Sequence, residues 1–132
     1  MNNVAEELRR VVDSTAVQLH SLDEATARTQ PTPTAWSIQQ IIGHLIDSAV
    51  NNHQRFVRAQ ATDALTFPGY EQDEWVHTQA YNTSPWSDLI ELWRLYNRHL
   101  AQVISHVPEE KLSVEVRIGS NAPVTLQYIM ED

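Results

Sequence analysis

The sequence predicts an all-α protein, a bundle of long helices joined by connections of unequal length. Three stretches of about twenty residues or slightly more place apolar side chains at helical spacing. Prolines separate these stretches, and a proline cannot continue the interior of a helix. A short alternating segment near residue 115 predicts a single extended element. We therefore expect one helical domain over residues 1–132.

Composition and charge exclude several classes of function. The formal net charge is −8, and the nine basic residues are scattered rather than clustered. Such a chain repels the phosphate backbone, so we expect no nucleic-acid partner. No apolar run is long enough to cross a bilayer, and the N-terminus lacks the apolar core of a signal peptide. A cytoplasmic protein without a membrane partner is the expectation.

Cysteine is absent, whereas histidine occurs six times. Disulfides, thiolate metal sites and a cysteine nucleophile are therefore excluded. A transition-metal site would have to use histidines and carboxylates. If the protein carries out thiol chemistry, the sulfur must come from a small-molecule cosubstrate.

The first predicted helix covers residues 4–22, with apolar side chains on one side and charged ones on the other. Its apolar face consists of Val4, Leu8, Val11, Val12, Ala16 and Leu19. Residues 23–35 form a connection in which Pro31 and Pro33 prevent continuation of the helix.

The second predicted helix runs from Ser37 to about Gln60 and opens with a capping box, Ser37 followed three residues later by Gln40. Its core stripe is Ile38, Ile41, Ile42, Leu45, Ala49 and Phe56. Beside that stripe runs a polar row, made of His44, Ser48, Asn51 and Arg55. The row could line a cavity between helices. It could also simply face water, and the spacing alone favours this second interpretation.

Residues 61–83 form an aromatic connection that we expect to pack over one end of the bundle. Ser84 as N-cap and Pro85 at the first helical position predict the start of a third helix, which ends before Pro108. The predicted core stripe of this helix is Leu89, Leu92, Trp93, Tyr96, Leu100, Val103 and Val107.

The C-terminal part predicts an extended arm or edge strand over residues 113–118 and a turn at Gly119. Thr125 can cap a fourth helix that begins at Leu126. Only about two helical turns, roughly 10 Å, remain before Asp132, and so short a helix has little stability of its own. We therefore expect that further residues follow Asp132 in the natural protein.

Several segments resemble the DinB/YfiT-like superfamily. The segments that carry the resemblance are Trp36–Ile38, Gly43–Asp47, Phe67–Trp75, Leu89–Leu92 and Gly119–Leu126. The resemblance implies a four-helix bundle with long crossover connections, whose fourth helix is truncated at the C-terminus in this sequence.

The same resemblance implies a site for a divalent metal, nickel or zinc. In the family three histidines hold the metal: one matches His44, and the other two form a His-x-x-x-His pair on the last helix. Members with known activity are thiol-dependent transferases or isomerases, and others are presumed hydrolases. The implied partners are a small-molecule substrate and a low-molecular-weight thiol. The pair is missing from residues 1–132, and a catalytic zinc site usually has three protein ligands. We therefore expect weak or no metal binding unless other residues complete the site.

Three residues are the candidates for the site. His44 is the candidate metal ligand. Asp47, a weak catalytic candidate, could orient a ligand or bind substrate, although a surface carboxylate is nearly as plausible. His99, the other weak catalytic candidate, could face the pocket of His44 or sit at a helix edge. A non-catalytic bundle that acts through homodimerisation or small-molecule binding is the alternative function.

Overall fold

The computed structural model describes residues 1–132 and contains six α-helices and three short strands. The helices are α1 (Asn2–His20), α2 (Glu24–Arg28), α3 (Ile38–Ala59), α4 (Gln72–Gln79), α5 (Trp86–Ser105) and α6 (Leu126–Glu131). The strands are β1 (Ala64–Phe67), β2 (Glu115–Ile118) and β3 (Val124–Thr125). Short 3₁₀ turns cover Tyr81–Thr83 and Glu109–Lys111. None of the helices has the length and apolar character that a bilayer crossing requires.

Helix α5 is central, because it packs against both α1 and α3. Helix α1 runs antiparallel to it: His20 contacts Glu91, whereas the earlier residue Asp13 binds Arg98 at 2.6 Å. Helix α3 runs parallel to α5 and carries the inner polar row described below. The long helices that the periodicity predicts are therefore confirmed, with boundaries that differ by a few residues.

The apolar core has two halves along the bundle. One half joins α1–α5, and its buried members include Val12, Ala27, Ile42, Val76 and Ile90. The other half joins α1, α3, α5, the sheet and α6, and its members include Ala5, Phe56, Leu100, Val116 and Leu126. The prediction that Leu92 belongs to the core is wrong, since 47% of it is exposed. Leu89 and Trp93, from the same predicted stripe, are buried as predicted. Val11, Ile41 and Leu45, also predicted for the core, are exposed.

The predicted start of α3 is confirmed in detail. The Ser37 hydroxyl accepts a hydrogen bond from the Gln40 backbone N–H at 3.1 Å, and the Gln40 side-chain oxygen accepts from the Ser37 N–H at 2.9 Å. This capping box satisfies two backbone donors that would otherwise lack partners. The helix therefore begins where local sequence chemistry places it.

The predicted start of α5 is shifted by one residue. Pro85, not Ser84, is the N-cap, and the first helical residue is Trp86. The Ser84 carbonyl accepts hydrogen bonds from Gln39, at 2.6 Å, and from Arg28. The free backbone N–H of Trp86 donates to the Glu24 carboxylate at 3.1 Å. A distant side chain thus replaces the local serine cap.

The connections are more ordered than their sequences predict. Residues 23–35 contain α2, which the Asp23 side chain caps, and the aromatic connection 61–83 contains β1 and α4. Strand β2 is not an edge strand or a free arm but the middle strand, parallel to β1 and antiparallel to β3. The predicted Thr125 cap of α6 is confirmed. The β1–β2 pairing joins segments about fifty residues apart, which local patterns do not reveal.

Candidate functional site

The polar row of α3 faces inward. Asn51 and Arg55 are only 7% and 8% exposed, and His44 and Ser48 are half-buried. The interpretation that the row faces water, which the spacing favoured, is therefore wrong. Buried polar side chains cost free energy unless they find partners, so the contacts of this row indicate what the site can do.

Asp47 lies one position before Ser48 and is 1% exposed. Its Oδ1 accepts hydrogen bonds from the Tyr81 hydroxyl at 2.6 Å and from the Gln79 side-chain amide at 2.8 Å. Its Oδ2 is buried without a partner. Burial, followed by the hydrogen bond and the charge of Asp47, raises the pKa of Tyr81 above its usual range. Tyr81 therefore stays protonated and acts as the donor. The prediction of a surface carboxylate is excluded.

Gly43, one turn before Asp47, makes this arrangement sterically possible. A Cβ atom at position 43 would overlap the aromatic ring of Tyr81. The ring thus lies directly on the backbone of α3, and its hydroxyl reaches the carboxylate one turn further on. The segment Gly43–Asp47, which carried the family resemblance, therefore positions Tyr81: the ring packs on Gly43 and the hydroxyl binds Asp47.

His44 is half-buried and stacks at a tilt on Trp36, with 5.1 Å between the ring centroids. Its Nδ1 is buried and has no hydrogen-bond partner. A histidine that binds metal usually donates its second ring N–H to a carboxylate or carbonyl. Asp47 does not fill that role, because no hydrogen bond joins it to His44: its Oδ1 accepts from Tyr81 and Gln79, and its Oδ2 has no partner. The idea that Asp47 orients the candidate ligand therefore finds no contact to support it.

His99 is not brought together with His44. Its ring lies edge-on to His53, with 5.1 Å between the centroids. His53 and His44 are nine residues apart on α3, which corresponds to opposite faces and about 13 Å along the axis. The prediction that His99 could share the pocket of His44 is therefore wrong. His53 also contacts the Tyr96 hydroxyl at 2.7 Å, a contact that helical spacing did not indicate.

Arg55 is the side chain whose role the sequence did not reveal. Its Nη1 donates to the Asn52 side chain at 3.0 Å, and its guanidinium carbon lies 5.6 Å from the centroid of the Phe67 ring. Burial lowers the pKa of Arg55 below its usual range, and the nearby Tyr70 offsets this only in part. No carboxylate forms an ion pair with it. The sequence feature that could have pointed to Arg55 is its position in the polar row of α3.

The residues present do not assemble a complete metal site. No three histidine, aspartate or glutamate side chains come together anywhere in residues 1–132. His44 and Asp47 offer at most two donors, and catalytic zinc normally has three protein ligands. The nickel or zinc that the family resemblance implies therefore does not fit the residues of this chain alone.

Comparison of the sequence with known families finds a match to the DinB superfamily over residues 6–131. A protein from Oceanobacillus iheyensis, named "putative metal-dependent hydrolase", is 27% identical over 78 residues. That alignment covers 59% of this chain and 44% of the relative, so this chain matches less than half of the relative's length.

Comparison of the structure finds YfiT from Bacillus subtilis, described as "a probable metal-dependent hydrolase with an unusual four-helix bundle topology". The TM-score is 0.77 and the sequence identity 17%, and the match covers 98% of this chain and 73% of YfiT. At this identity the likeness concerns the fold. It confirms the predicted helical-bundle architecture.

Proposed function

Because the chain belongs to the DinB superfamily, we propose that it forms the helical part of a metal-dependent hydrolase of the YfiT type. The names of the two similar proteins support this assignment. The structural observation that carries it lies on the inward side of α3: His44, from the polar row, and the neighbouring Asp47 each keep a buried polar atom without a protein partner. An unpartnered buried polar atom costs free energy, and a ligand that contacts it would remove that cost.

In this proposal His44 is one metal ligand. Since the described residues supply no three-ligand set, the remaining donors have to come from outside residues 1–132. Nickel and zinc both suit imidazole ligands. A thiol-dependent transferase is the finer alternative to a hydrolase, and without cysteine its sulfur would come from a small-molecule thiol.

Asp47 has a binding role in this proposal. Tyr81 and Gln79 hold one carboxylate oxygen in place, and the second oxygen remains a free acceptor. A substrate hydroxyl or amide could donate to that oxygen. Because the Tyr81 ring packs on Gly43, it holds the Asp47 carboxylate in one orientation before a ligand binds. Such preorganisation lowers the entropic cost of binding.

The test is metal analysis of the natural gene product, purified without chelators. We expect about one equivalent of nickel or zinc per chain, as for a three-ligand catalytic site. His44→Ala should lose the metal. The matched control is His77→Ala, because His77 is an exposed histidine on α4. A metal-free natural protein, or a His44→Ala variant with unchanged metal content, would refute the proposal. Assays on ester and amide substrates with and without an added thiol separate a hydrolase from a transferase.

Self-association is the second candidate function. An open groove of about 470 Å³ lies between α1 and α6, and its apolar lining consists of Val4, Leu8, Val11 and Met130. Exposed apolar surface of this kind favours association, so a homodimer of this chain would cover it. Sedimentation equilibrium of residues 1–132 tests this candidate. A monomer at all concentrations would contradict it.

A further inference from the structure

We propose that Arg55 binds the carboxylate group of a small-molecule ligand, in the region where α3 meets the Phe67–Tyr70 segment. The proposal needs no metal and concerns a different part of α3 from His44. The two residues are eleven positions apart, or about 16 Å along the helix axis.

The charge balance around Arg55 differs from that of every other arginine. Five arginines pair with carboxylates, namely Arg9, Arg10, Arg28, Arg94 and Arg98. Arg58 and Arg117 have no such pair but are exposed, so water solvates them. Arg55 alone is buried without an acid, in a chain with 17 acidic residues. A buried cation without a counter-charge is costly, and an anionic ligand would remove that cost.

The guanidinium is held in a geometry suited to a carboxylate. Nη1 donates to the Asn52 side chain, and the guanidinium carbon lies over the Phe67 ring, 5.6 Å from its centroid. Nε is buried without a partner, and Nη2 makes no hydrogen bond but is not fully buried. The Nε and Nη2 atoms form the edge that binds a carboxylate through two parallel hydrogen bonds. The hydrogen bond to Asn52 and the cation–π contact with Phe67 both restrict the movement of the guanidinium.

The surroundings favour a carboxylate over a phosphate. Arg55 is the only cation in the polar row, and its neighbours Asn51 and Asn52 are neutral. Asp47 lies on the same side of α3, eight residues away, and its charge opposes further negative charge. One guanidinium balances a monoanion, whereas phosphate-binding sites generally add a second cation or a set of backbone N–H groups. The chain's net charge of −8 also disfavours a polyanionic partner.

The experiment follows the arginine Nε–H signals of the natural protein by two-dimensional NMR during titration with sodium acetate. Sodium chloride keeps the ionic strength constant and serves as the anion control. We expect the Arg55 signal to shift saturably with acetate, while the Arg58 signal stays in place. Arg58 is the matched control because it lies on the same helix, three residues away, and is exposed.

Variants supply a second measurement. Arg55→Met should abolish the saturable rise in melting temperature with acetate. Arg55→Lys, which keeps the charge but not the fork, should weaken acetate binding at least about tenfold, the loss expected when a charge-assisted double hydrogen bond is removed. Arg58→Met should bind acetate like the natural protein. His44→Ala should do so as well, so the failure of the metal proposal and the failure of this one are distinguishable.

Several results would overturn the proposal. An Arg55 signal that does not respond to acetate, or responds equally to chloride, excludes a carboxylate site. If the Arg55 signal shifts with inorganic phosphate but not with acetate, the carboxylate proposal is wrong and the site binds phosphate instead. If Arg55→Met does not fold, the NMR titration of the natural protein and the Arg55→Lys variant still decide the question.

Discussion

Asp47 and Arg55 are two buried charged residues on the same side of α3, yet the fold treats them in opposite ways. Asp47 accepts hydrogen bonds from Gln79, the last residue of α4, and from Tyr81, which lies in the 3₁₀ turn that follows. Arg55 has one amide contact and no counter-charge. Each of the two keeps one buried polar atom without a partner, Oδ2 in Asp47 and Nε in Arg55. The fold supplies two hydrogen-bond donors to Asp47 and only one neutral amide to Arg55, so Arg55 is the less satisfied charge and the stronger sign of ligand binding.

The largest expected effect on stability comes from a substitution at Gly43, on which the Tyr81 ring packs. Gly43→Ala places a methyl group in the Tyr81 ring. Overpacking of this kind should lower the free energy of unfolding by about 3 kcal/mol, measured by urea unfolding. Gly69→Ala is the control, because a Cβ there meets no atom within 4 Å. Equal stability of the Gly43→Ala variant and the natural protein would show that Tyr81 can move without loss.

The next effect concerns the Asp47 hydrogen bond itself. Tyr81→Phe removes the hydroxyl and leaves a buried carboxylate with Gln79 as its only donor. The expected loss in the free energy of unfolding is about 2 kcal/mol, typical of a charged group deprived of a buried partner. Tyr128→Phe is the control, since Tyr128 is exposed. A loss below about 0.5 kcal/mol would mean that Asp47 finds another donor.

In contrast to these two substitutions, Arg55→Met should not lower the free energy of unfolding appreciably. It removes an unpaired buried cation, and replacement of buried charges by apolar side chains is often neutral or stabilising. We expect the free energy of unfolding to stay within about 1 kcal/mol of the natural value or to rise. The same urea titration measures it. A loss above about 2 kcal/mol would show that Arg55 serves stability, and would remove the contrast with Asp47.

The smallest effect lies on the opposite face of α3. Burial, and secondarily the charge of His99, lowers the pKa of His53 below its usual range. The unfolded chain therefore binds more protons than the folded one as the pH falls through about 6.5, so stability decreases in that direction. His53→Gln should reduce the loss of stability between about pH 7 and pH 5.

The measurement compares urea midpoints at the two pH values, with His77→Gln as the control on an exposed histidine. An unchanged pH dependence in the His53→Gln variant would show that His53 titrates alike in both states.

Local sequence chemistry was sufficient where it acts over one or two helical turns. The capping box at Ser37 and the Thr125 cap were predictable, since each joins groups three residues apart. The inward polar row was visible as a pattern, but its burial was not. Spacing shows which side chains share a face, and only the packing of β1 and the Tyr81 segment shows what covers that face.

The sequence by itself determined the long helices, the helical class and the histidine that the family resemblance singles out, because helical periodicity and capping are properties of neighbouring residues. Only the tertiary structure decided that Asp47 binds Tyr81, that His99 joins His53, and that Arg55 is buried without an acid. Each of these depends on contacts between residues far apart in the chain. For the buried Asp47 and Arg55, the free energy depends on whether folding brings them a partner.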